Sequence, residues 1–355
     1  MYGSDAGRTR GDRRKRARTR ARAGATAGVL LLLAVAGCSS GDEASPKKNP
    51  PSVSPASQLP KSSSPFWVNP DGTAAKEASR LREDGKKRDA DLIQKIAGQP
   101  VAEWVGADDP EGQTRGFTEA ATKADRDALL VFYNIPHRDC GQYSQGGAAD
   151  GDAYRAWLEK AVRGIGDRTA TVILEPDALP HMEDGCTPQQ FHEERYALLK
   201  EAVGRLKELP RTKVYLDAGN PSWVTPGDRM AEPLRRAGID RADGFALNVS
   251  NFQTTDDSKD YGRRLSALVG GKHFVIDTSR NGNGPLSGGD DHEKAWCNPS
   301  GRALGAPPTI RTGDALVDAY LWVKRPGESD GACKGGPDAG QWWETYALEL
   351  ARNSR

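Results

Sequence analysis

Short apolar segments recur along the chain between residues 128 and 331, and each one ends in polar side chains. The segments are ALLVFYNIPHRDC, TATVILEPD, TKVYLDAGN, DGFALNVSNF, KHFVIDTSRNG and DAYLWVKRPGESDG. Their length and the turn residues that bound them predict six buried β-strands. Residues 152–165, 189–209 and 261–270 instead carry apolar side chains at helical spacing. Strands alternating with helices predict an α/β fold with a parallel sheet covered by helices.

The polar residues at the predicted strand ends include many carboxylates. They are Asp139, Glu175, Asp177, Asp217, Asp277, Glu328 and Asp330. In a parallel α/β barrel the carboxyl ends of the strands form one rim, where the functional site is built. A doubly wound open sheet is the alternative, and it also binds ligands at that end. Six polar strand ends favour the barrel, with the site at the C-terminal strand ends.

Few chemistries use so many carboxylates. The sequence has five histidines, but HEERY at 192–196 is not HExxH, and DGD at 150–152 lacks the spaced ligands of a calcium loop. GxGxxG after the first strand and GxxxxGKS are absent as well. We therefore expect no metal and no cofactor, and acid–base chemistry by paired carboxylates.

Glycoside hydrolysis is such a chemistry, because it needs one protonated acid and one ionised partner. An ordinary Asp, with a pKa of about 3.9, is ionised at neutral pH. Asp177 stands at the tip of an apolar strand beside Glu175, and burial and a like charge would both raise its pKa. Of the eight Trp residues, several lie in polar loops, where an indole can stack on a sugar. Trp157, Trp322 and Trp342 are expected in the core.

The N-terminus predicts export. The first 23 residues carry nine Arg or Lys and two Asp, and the apolar run AGVLLLLAVAG ends at Cys38. This pattern predicts a signal peptide over 1–37, and the run is too short to span a bilayer. VAGC resembles a bacterial lipobox, which would make Cys38 the lipidated first residue of an exported lipoprotein of actinobacterial type. Ordinary signal-peptidase cleavage nearby is the alternative.

The residues that follow the signal refine this picture. Residues 38–65 are rich in Ser and Pro and predict a disordered tether, which leaves 66–355 as one catalytic domain. The chain has a net charge of +1, and removal of the basic N-terminus leaves about −6, which argues against nucleic acid. We expect a monomer that meets the membrane only through its N-terminal lipid, or a secreted protein.

Four cysteines remain in the domain. An even number in an exported chain favours two disulfides, for which three pairings are possible. Sequential pairing, Cys140–Cys186 and Cys297–Cys333, closes the two shorter loops and is the pairing we expect.

Several motifs together resemble glycoside hydrolase family 6, the inverting cellulases. They are YNIPHRDCGQYSQGG, VILEPDAL, YLDAGNPSW, NVSNF, FVIDTSRNG, WCNPSGRALG and LWVKRPGESDG followed by AGQWW. Each motif is weak by itself, but all occur in the family's order from about residue 66 to the C-terminus. The resemblance implies a distorted parallel β/α barrel with fewer than eight strands and hydrolysis of β-1,4-glucan with inversion.

The resemblance also implies roles for particular residues. Asp177 of EPD matches the general acid, and Asp139 of RDC matches the residue that keeps the acid protonated and stabilises the transition state. Asp330 of GESDG matches the proposed base, whose role is disputed within the family. Tyr133 matches the residue pressed against the distorted sugar, and Ser144 lies in the loop that positions water.

Substrate-binding positions follow in the same way. The resemblance implies sugar contacts at Trp104, Arg138, Asp217, Trp223, Asn251, Trp296, Lys324 and Glu328. Arg138 is also expected to hold Asp139 ionised. Asp277 is expected to be structural, bonded to Arg280.

The chain departs from the family pattern near Trp223. Asn220 stands where the family usually has His after DAG, and Pro226 stands where some members have a second Trp. Both departures concern outer sugar contacts. The compact Cys297–Cys333 segment and short domain predict an open cleft and internal cleavage, so we expect an endoglucanase. A cellobiohydrolase, an enzyme acting on mixed-linkage or modified β-glucan, and a non-catalytic surface glucan-binding lipoprotein are the alternatives.

Overall fold

The computed structural model describes residues 64–286 and 295–354. Within these residues the strands are β1 Glu103–Val105, β2 Ala128–Phe132, β3 Ala170–Leu174, β4 Thr212–Asp217, β5 Gly244–Leu247, β6 His273–Asp277 and β7 Val317–Leu321. The helices are α1 Thr73–Glu83, α2 Lys87–Ala97, α3 Pro110–Lys123, α4 Gly151–Ile165, α5 Pro180–Glu183, α6 His192–Leu206, α7 Ala231–Arg236, α8 Thr255–Leu268 and α9 Glu344–Asn353.

The seven strands form one parallel sheet in the order β1 to β7, so each strand pairs with its neighbour in the chain. The sheet curls into a half-barrel. Its two edges approach each other where the N–H of Ala102, just before β1, donates to the carbonyl of Trp322, just after β7, at 3.0 Å. All strands run in the same direction, so the residues that follow them are gathered around one opening.

Alternate strand residues face opposite sides of the sheet. Leu129, Val131 and Ile173 belong to the small cluster inside the barrel, whereas Leu130 and Val172 pack outward against the helices. This double burial explains why the strand segments are almost continuously apolar. Helices α1, α2 and α9 pack together in a third cluster that includes the buried Trp322.

All six predicted strands are present, as β2 to β7, and the prediction of a parallel barrel with fewer than eight strands is confirmed. The sequence prediction missed β1. Its three residues, Glu103–Val105, are too few to show a periodic pattern, and they form a strand because they pair in register with Leu130–Phe132 of β2.

The three predicted helices are present with shifted ends. Helix α4 begins after Asp150, whose carboxylate accepts the N–H of Ala153, so the DGD sequence is a helix cap. Helix α8 begins after Thr254, six residues before the predicted start at 261. Residues 189–191 form a 3-10 turn that leads into α6.

Most of the predicted N-terminal features lie outside the described residues. These are the signal peptide, Cys38 and the tether up to residue 63. Ser64 and Pro65 were assigned to the tether, but Ser64 is buried and the carbonyl of Pro65 accepts the N–H of Asp127 at 2.9 Å. These two residues therefore belong to the domain. Over the residues that the structure describes, no helix combines the length and apolarity needed to cross a bilayer.

Candidate active site

A cleft of about 780 Å³ opens at the carboxyl end of the half-barrel. Of the predicted site residues, it is lined by Trp104, Tyr133, Arg138, Asp139, Ser144, Asp177, Trp223, Asn251, Trp296, Lys324, Glu328 and Asp330. Residues from distant parts of the chain meet here because every strand ends at this opening. Asp217 is the exception among the predicted residues.

The backbone bends sharply where the strands enter the site. Glu175 and Asp177 have φ values of 49° and 69°, and Asp139, Cys140 and Asn248 have φ values of 55°, 48° and 64°. Side chains other than glycine seldom adopt this left-handed region. Such conformations concentrate at functional sites, where the surrounding structure holds them.

Asp177 is held by the ends of two neighbouring strands. Its N–H donates to Oδ2 of Asp217 at 2.9 Å, and its carbonyl accepts the N–H of His181 at 3.0 Å. The hydroxyl of Tyr133 donates to its Oδ2 at 3.5 Å, which is a weak contact. The carboxyl group itself faces the cleft.

The surroundings of Asp177 favour its protonated form. Burial raises the pKa of Asp177 to about 6, with His181 opposing the rise and Asp139 adding to it. Burial also raises the pKa of Asp217 to about 8, and the negative charge of Asp177 adds to this shift. The prediction that burial raises the pKa of Asp177 is therefore supported, but the carboxylate that adds to the rise is Asp139 and not the nearby Glu175.

Asp217 does not contact the cleft, and this corrects its assignment as a substrate-binding residue. Its side chain is only 2% exposed, and Oδ2 accepts the N–H groups of Asp177 and Gly219. The last residue of β4 therefore lies behind Asp177. It positions Asp177 by accepting its backbone N–H.

Glu175, two residues before Asp177, is occupied by backbone donors. Its oxygens accept the N–H of Asn134 and that of Ile135, both at 2.9 Å. Burial raises the pKa of Glu175 to about 7, although these hydrogen bonds oppose the shift. Glu175 thus fixes the loop after β2 beneath the site.

Asp139 is held differently from the prediction. Its Oδ2 accepts the N–H of Ser144 at 2.5 Å, which places the Ser144 loop against it. The guanidinium of Arg138 donates instead to the carbonyls of Tyr133 and Ser144 and lies 4.7 Å above the Tyr133 ring. Arg138 was expected to hold Asp139 ionised, but its guanidinium is engaged by these carbonyls and forms no ion pair with Asp139 among the described residues.

The cation near Asp139 is His181, which the sequence analysis did not identify. Its Nε2 lies 3.9 Å from Oδ1 of Asp139, and its Nδ1 lies 3.3 Å from Oδ2 of Asp184. Burial by itself would lower the pKa of His181, but these two carboxylates outweigh it and raise the pKa to about 9. A single histidine in the short helix α5 gave no periodic signal by which to find it.

Among the described residues, two groups of side chains bring possible metal-ligand atoms within 4.8 Å of one another. One consists of Cys140, His181 and Cys186, and the two cysteines are joined in a disulfide. The other consists of Asp139, Asp177 and His181. Because the raised pKa of His181 keeps both ring nitrogens protonated near neutral pH, the second group is better described as carboxyl groups around an imidazolium.

Asp330 occupies an electrostatic environment of the opposite kind. Its carboxylate lies 2.8 Å from the guanidinium of Arg280 and 3.2 Å from Nζ of Lys324, and it accepts the N–H of Asn298. Burial would raise the pKa of Asp330, but the two cations outweigh burial and the pKa is lowered. Asp330 is therefore held ionised.

The partner predicted for Arg280 was wrong. Asp277 was expected to bond to it, but its oxygens accept the N–H groups of Ser250, Ser279 and Lys324, each at 2.9 Å. The prediction that Asp277 is structural is supported, since the carboxylate joins the ends of β5, β6 and β7. Arg280 is thereby left to pair with Asp330.

The predicted aromatic positions lie along the cleft. The indole N–H of Trp104 donates to the carbonyl of Val323 at 2.9 Å, and that of Trp223 donates to Oδ2 of Asp184 at 2.8 Å. Trp296 lies 6.1 Å from the ring of Tyr143. All three rings are partly exposed, as sugar platforms require, whereas the side chains of Trp157 and Trp322 are buried in the core as predicted.

The other polar residues along the cleft are already engaged. Lys324 donates to the carbonyl of Ser329, and Glu328 forms an ion pair with Arg325 at 3.3 Å. The amide oxygen of Asn251 accepts the N–H of Phe252. Arg325 is a lining residue that the sequence analysis missed.

Both disulfides have the predicted pairing. Cys140 is bonded to Cys186, and Cys297 to Cys333. The first joins the loop that carries Asp139 to the segment after α5, near His181. The second joins the loop that carries Trp296 to the segment after Asp330.

The fold and the cleft define a class of protein. A parallel half-barrel whose strand ends present one carboxyl of raised pKa and one of lowered pKa in a tryptophan-lined cleft is typical of a glycoside hydrolase. The family model of glycosyl hydrolases family 6 matches residues 61–354. The chain belongs to this family.

Similar curated proteins are named as endoglucanases. Endoglucanase A of Cellulomonas fimi is 45% identical over 83% of this chain and 63% of its own length. Endoglucanase A of Thermobispora bispora is 40% identical over 82% of this chain and 62% of its own length. Endoglucanase 1 of Streptomyces halstedii is 42% identical over 80% of this chain and 88% of its own length. The chain thus spans less than two thirds of the first two proteins.

A solved structure agrees with the assignment. The endoglucanase Cel6 of Mycobacterium tuberculosis, in complex with a methyl-cellobiosyl-4-deoxy-4-thio-β-D-cellobioside, is 44% identical, with a TM-score of 0.75. The match covers 82% of this chain and 98% of that one.

Proposed function

We propose that this protein is an endoglucanase that hydrolyses internal β-1,4-glucosidic bonds with inversion. The observation that carries the proposal is the contrast between two carboxyl groups of one cleft. Burial raises the pKa of Asp177 to about 6, whereas Arg280 and Lys324 lower the pKa of Asp330. One proton donor and one ionised carboxylate are what inverting hydrolysis requires.

Asp177 is the general acid in this proposal. It donates its proton to the glycosidic oxygen as the bond to the anomeric carbon breaks, and the departing sugar leaves as an alcohol. Asp217 keeps the backbone at Asp177 in place. The negative charge of Asp139 raises the pKa of Asp177 and stabilises the positive charge that develops on the sugar ring.

Asp330 is the base in this proposal. Water attacks the anomeric carbon from the face opposite the leaving group and loses a proton toward Asp330, directly or through a second water. The N–H of Ser144, fixed on Asp139, holds the adjacent loop where it can position that water. The two cations beside Asp330 make it a weak base, so a relay is consistent with its surroundings.

The remaining residues hold the glucan. Trp104, Trp223 and Trp296 offer aromatic faces for pyranose rings, and Lys324 and Glu328 offer charged groups to sugar hydroxyls. Tyr133, with its ring between Arg138 and Trp104, presses on the sugar at the cleavage point. Stacking along an extended cleft suits a polymer.

Internal cleavage is supported by the relatives. The curated proteins at 40–45% identity are named endoglucanases, and those named cellobiohydrolases are 28–30% identical. The mode of cleavage is part of the proposal.

The direct test is incubation of the protein with carboxymethyl-cellulose, with viscosity and reducing ends measured together. The proposal expects rapid viscosity loss with few reducing ends released, and no change with Asp177→Asn. Slow viscosity loss with steady release of cellobiose would instead show a cellobiohydrolase. Retention on a glucan column without any release of sugar would show a non-catalytic binding protein.

We further propose that the protein is an exported monomer, anchored outside the cell membrane through Cys38. Two disulfides in the domain are typical of exported proteins. In bacteria fed an alkyne-labelled palmitate, the full chain should incorporate the label and Cys38→Ala should not. If the wild-type protein incorporates no label, the proposed lipid anchor is contradicted. Light scattering after size-exclusion chromatography should give the mass of a monomer.

A further inference from the structure

His181 connects two parts of the cleft that the proposed mechanism treats separately. On one side its Nε2 faces Asp139 at 3.9 Å. On the other side its Nδ1 lies 3.3 Å from Asp184, and the same Oδ2 of Asp184 accepts the indole N–H of Trp223 at 2.8 Å. The imidazole also packs edge-on against the Trp223 ring, with 4.9 Å between centroids.

The backbone around His181 is fixed as firmly as its side chain. Its N–H donates to the carbonyl of Asp177 at 3.0 Å, and its carbonyl accepts the N–H of Thr187 at 2.7 Å. The side chain is nine-tenths or more buried, with a residue exposure of 5%. The ring therefore has one orientation, in which each nitrogen faces a carboxylate.

The charge of His181 acts on the proposed acid. A side-chain nitrogen or oxygen atom from each of Asp139, Asp177 and His181 lies within 4.8 Å of the other two, a distance at which charges interact appreciably. An imidazolium there stabilises the ionised form of Asp177 and so opposes the effect of burial. The net result is an acid that releases its proton near neutral pH.

We propose that His181 is a positioning residue that, as an imidazolium, joins Asp139 to the Asp184–Trp223 pair and sets the pH at which Asp177 loses its proton. This inference rests on the proposed function, in which Asp177 is the acid. The charged and titratable groups that face the ring are Asp139 from the loop after β2, Asp177 from the end of β3, Asp184 from the end of α5, and Asp217 from the end of β4. All four are carboxyl groups, so His181 is the cation among them.

The first test is the pH profile of kcat for wild type and His181→Asn. Asn can still donate to Asp184 but carries no charge, so the pKa of Asp177 should rise. The alkaline limb of the profile, where kcat falls as pH increases, should therefore move up by about one pH unit. Above the wild-type limb, the variant should then retain an about tenfold greater fraction of its maximal activity. A purely structural role would lower activity without moving the limb.

His273→Asn is the matched control. His273 also pairs with an aspartate, Asp318 at 2.8 Å, but it lies at the start of β6, at the other end of the barrel. Its profile should keep the wild-type limb. A folded, active His181→Asn protein whose limb coincides with that of the control would overturn the proposal.

The second test uses NMR and does not depend on activity or on folding of the His181 variant. One imidazole of the wild-type protein should titrate near the value of about 9 raised by its carboxylates, well above an ordinary histidine. Asp184→Asn should lower that value. Ordinary titration of every imidazole would overturn the proposal even if the enzyme is active, and an inactive wild type with the raised imidazole would instead refute the proposed function.

Discussion

The cleft contains two carboxyl clusters that differ in the number of cations they hold. Around Asp177, the carboxyl groups of Asp139 and Asp217 are close by, and His181 is the neighbouring cation. Around Asp330, by contrast, Arg280 and Lys324 both lie within 3.2 Å of one carboxylate. Both aspartates lie at the carboxyl end of the same sheet.

The comparison shows that burial by itself does not decide protonation. Burial raises the pKa of each aspartate, but only at Asp330 do opposite charges outweigh it. A carboxyl in an acidic group stays protonated to higher pH, and one between two cations stays ionised to lower pH. Two residues of the same type thereby suit the separate roles of acid and base that we propose for them.

The largest effect should follow from removing the acid. Asp177→Asn preserves the shape of the side chain but has no proton to give, so kcat on carboxymethyl-cellulose should fall about 10³-fold. Unchanged circular dichroism would show that the fold is intact. Most of the activity remaining would show that another group supplies the proton.

The next largest effect should be on stability, which substitutions in the two clusters should change in different ways. Asp330→Asn leaves the buried guanidinium of Arg280 without its anion, and the free energy of unfolding in urea should fall by about 3 kcal/mol. Activity should fall as well, because the proposed base is lost. Equal stability of Asp330→Asn and wild type would contradict the charge pairing that the structure shows.

Asp177→Asn should change stability in the other direction at alkaline pH. A raised pKa in the folded state means that this carboxyl favours folding fully at low pH, and the contribution is lost as pH rises through about 6. At about pH 8 the Asn variant should therefore be more stable than wild type by about 1 kcal/mol. A variant less stable than wild type at that pH would show that the pKa of Asp177 is not raised in the folded protein.

The activity of the wild type should depend on the protonation of Asp177. Because the acid must be protonated, kcat should fall about tenfold per pH unit above about pH 6. Initial rates on a soluble cello-oligosaccharide across the pH range measure this limb. A rate that stays constant up to about pH 9 would place the proton on a different group.

The smallest effect should come from a sugar platform. Trp223→Ala removes an aromatic face from the cleft, and KM should rise about tenfold with a smaller change in kcat. Trp343→Ala is the control, since this ring stacks on Tyr346 beside helix α9. Equal changes in both variants would show that Trp223 does not bind the sugar.

Much of this architecture could be predicted from the sequence because each strand and the polar residues at its end are contiguous in the chain. Each apolar run of four to six residues with acids at its end is a strand of the parallel sheet, and the parallel direction gathers those acids at one opening. Asp139, Asp177, Glu328 and Asp330 line the cleft for this reason, whereas Trp104, Trp223 and Trp296 were identified through the resemblance to the family.

Side-chain partners could not be predicted in the same way. Arg138 and Asp139 are adjacent, and Arg280 follows Asp277 by three residues, yet neither pair forms an ion pair in the structure. Proximity in sequence says little where the backbone turns through positive φ or where backbone N–H groups compete for a carboxylate. His181 was missed because its neighbours, Asp139 and Trp223, come from other loops.

The central claim is that Asp177 holds its proton to a higher pH than Asp330 does, and one titration tests it. Carbon-13 NMR of the aspartate carboxyl groups, with resonances assigned through Asp177→Asn and Asp330→Asn, follows both groups in one sample. The structure predicts that Asp177 titrates near about 6, and that Asp330 stays ionised to below the range of an ordinary aspartate, about 3.9. Two groups that both titrate near about 3.9 would contradict the account.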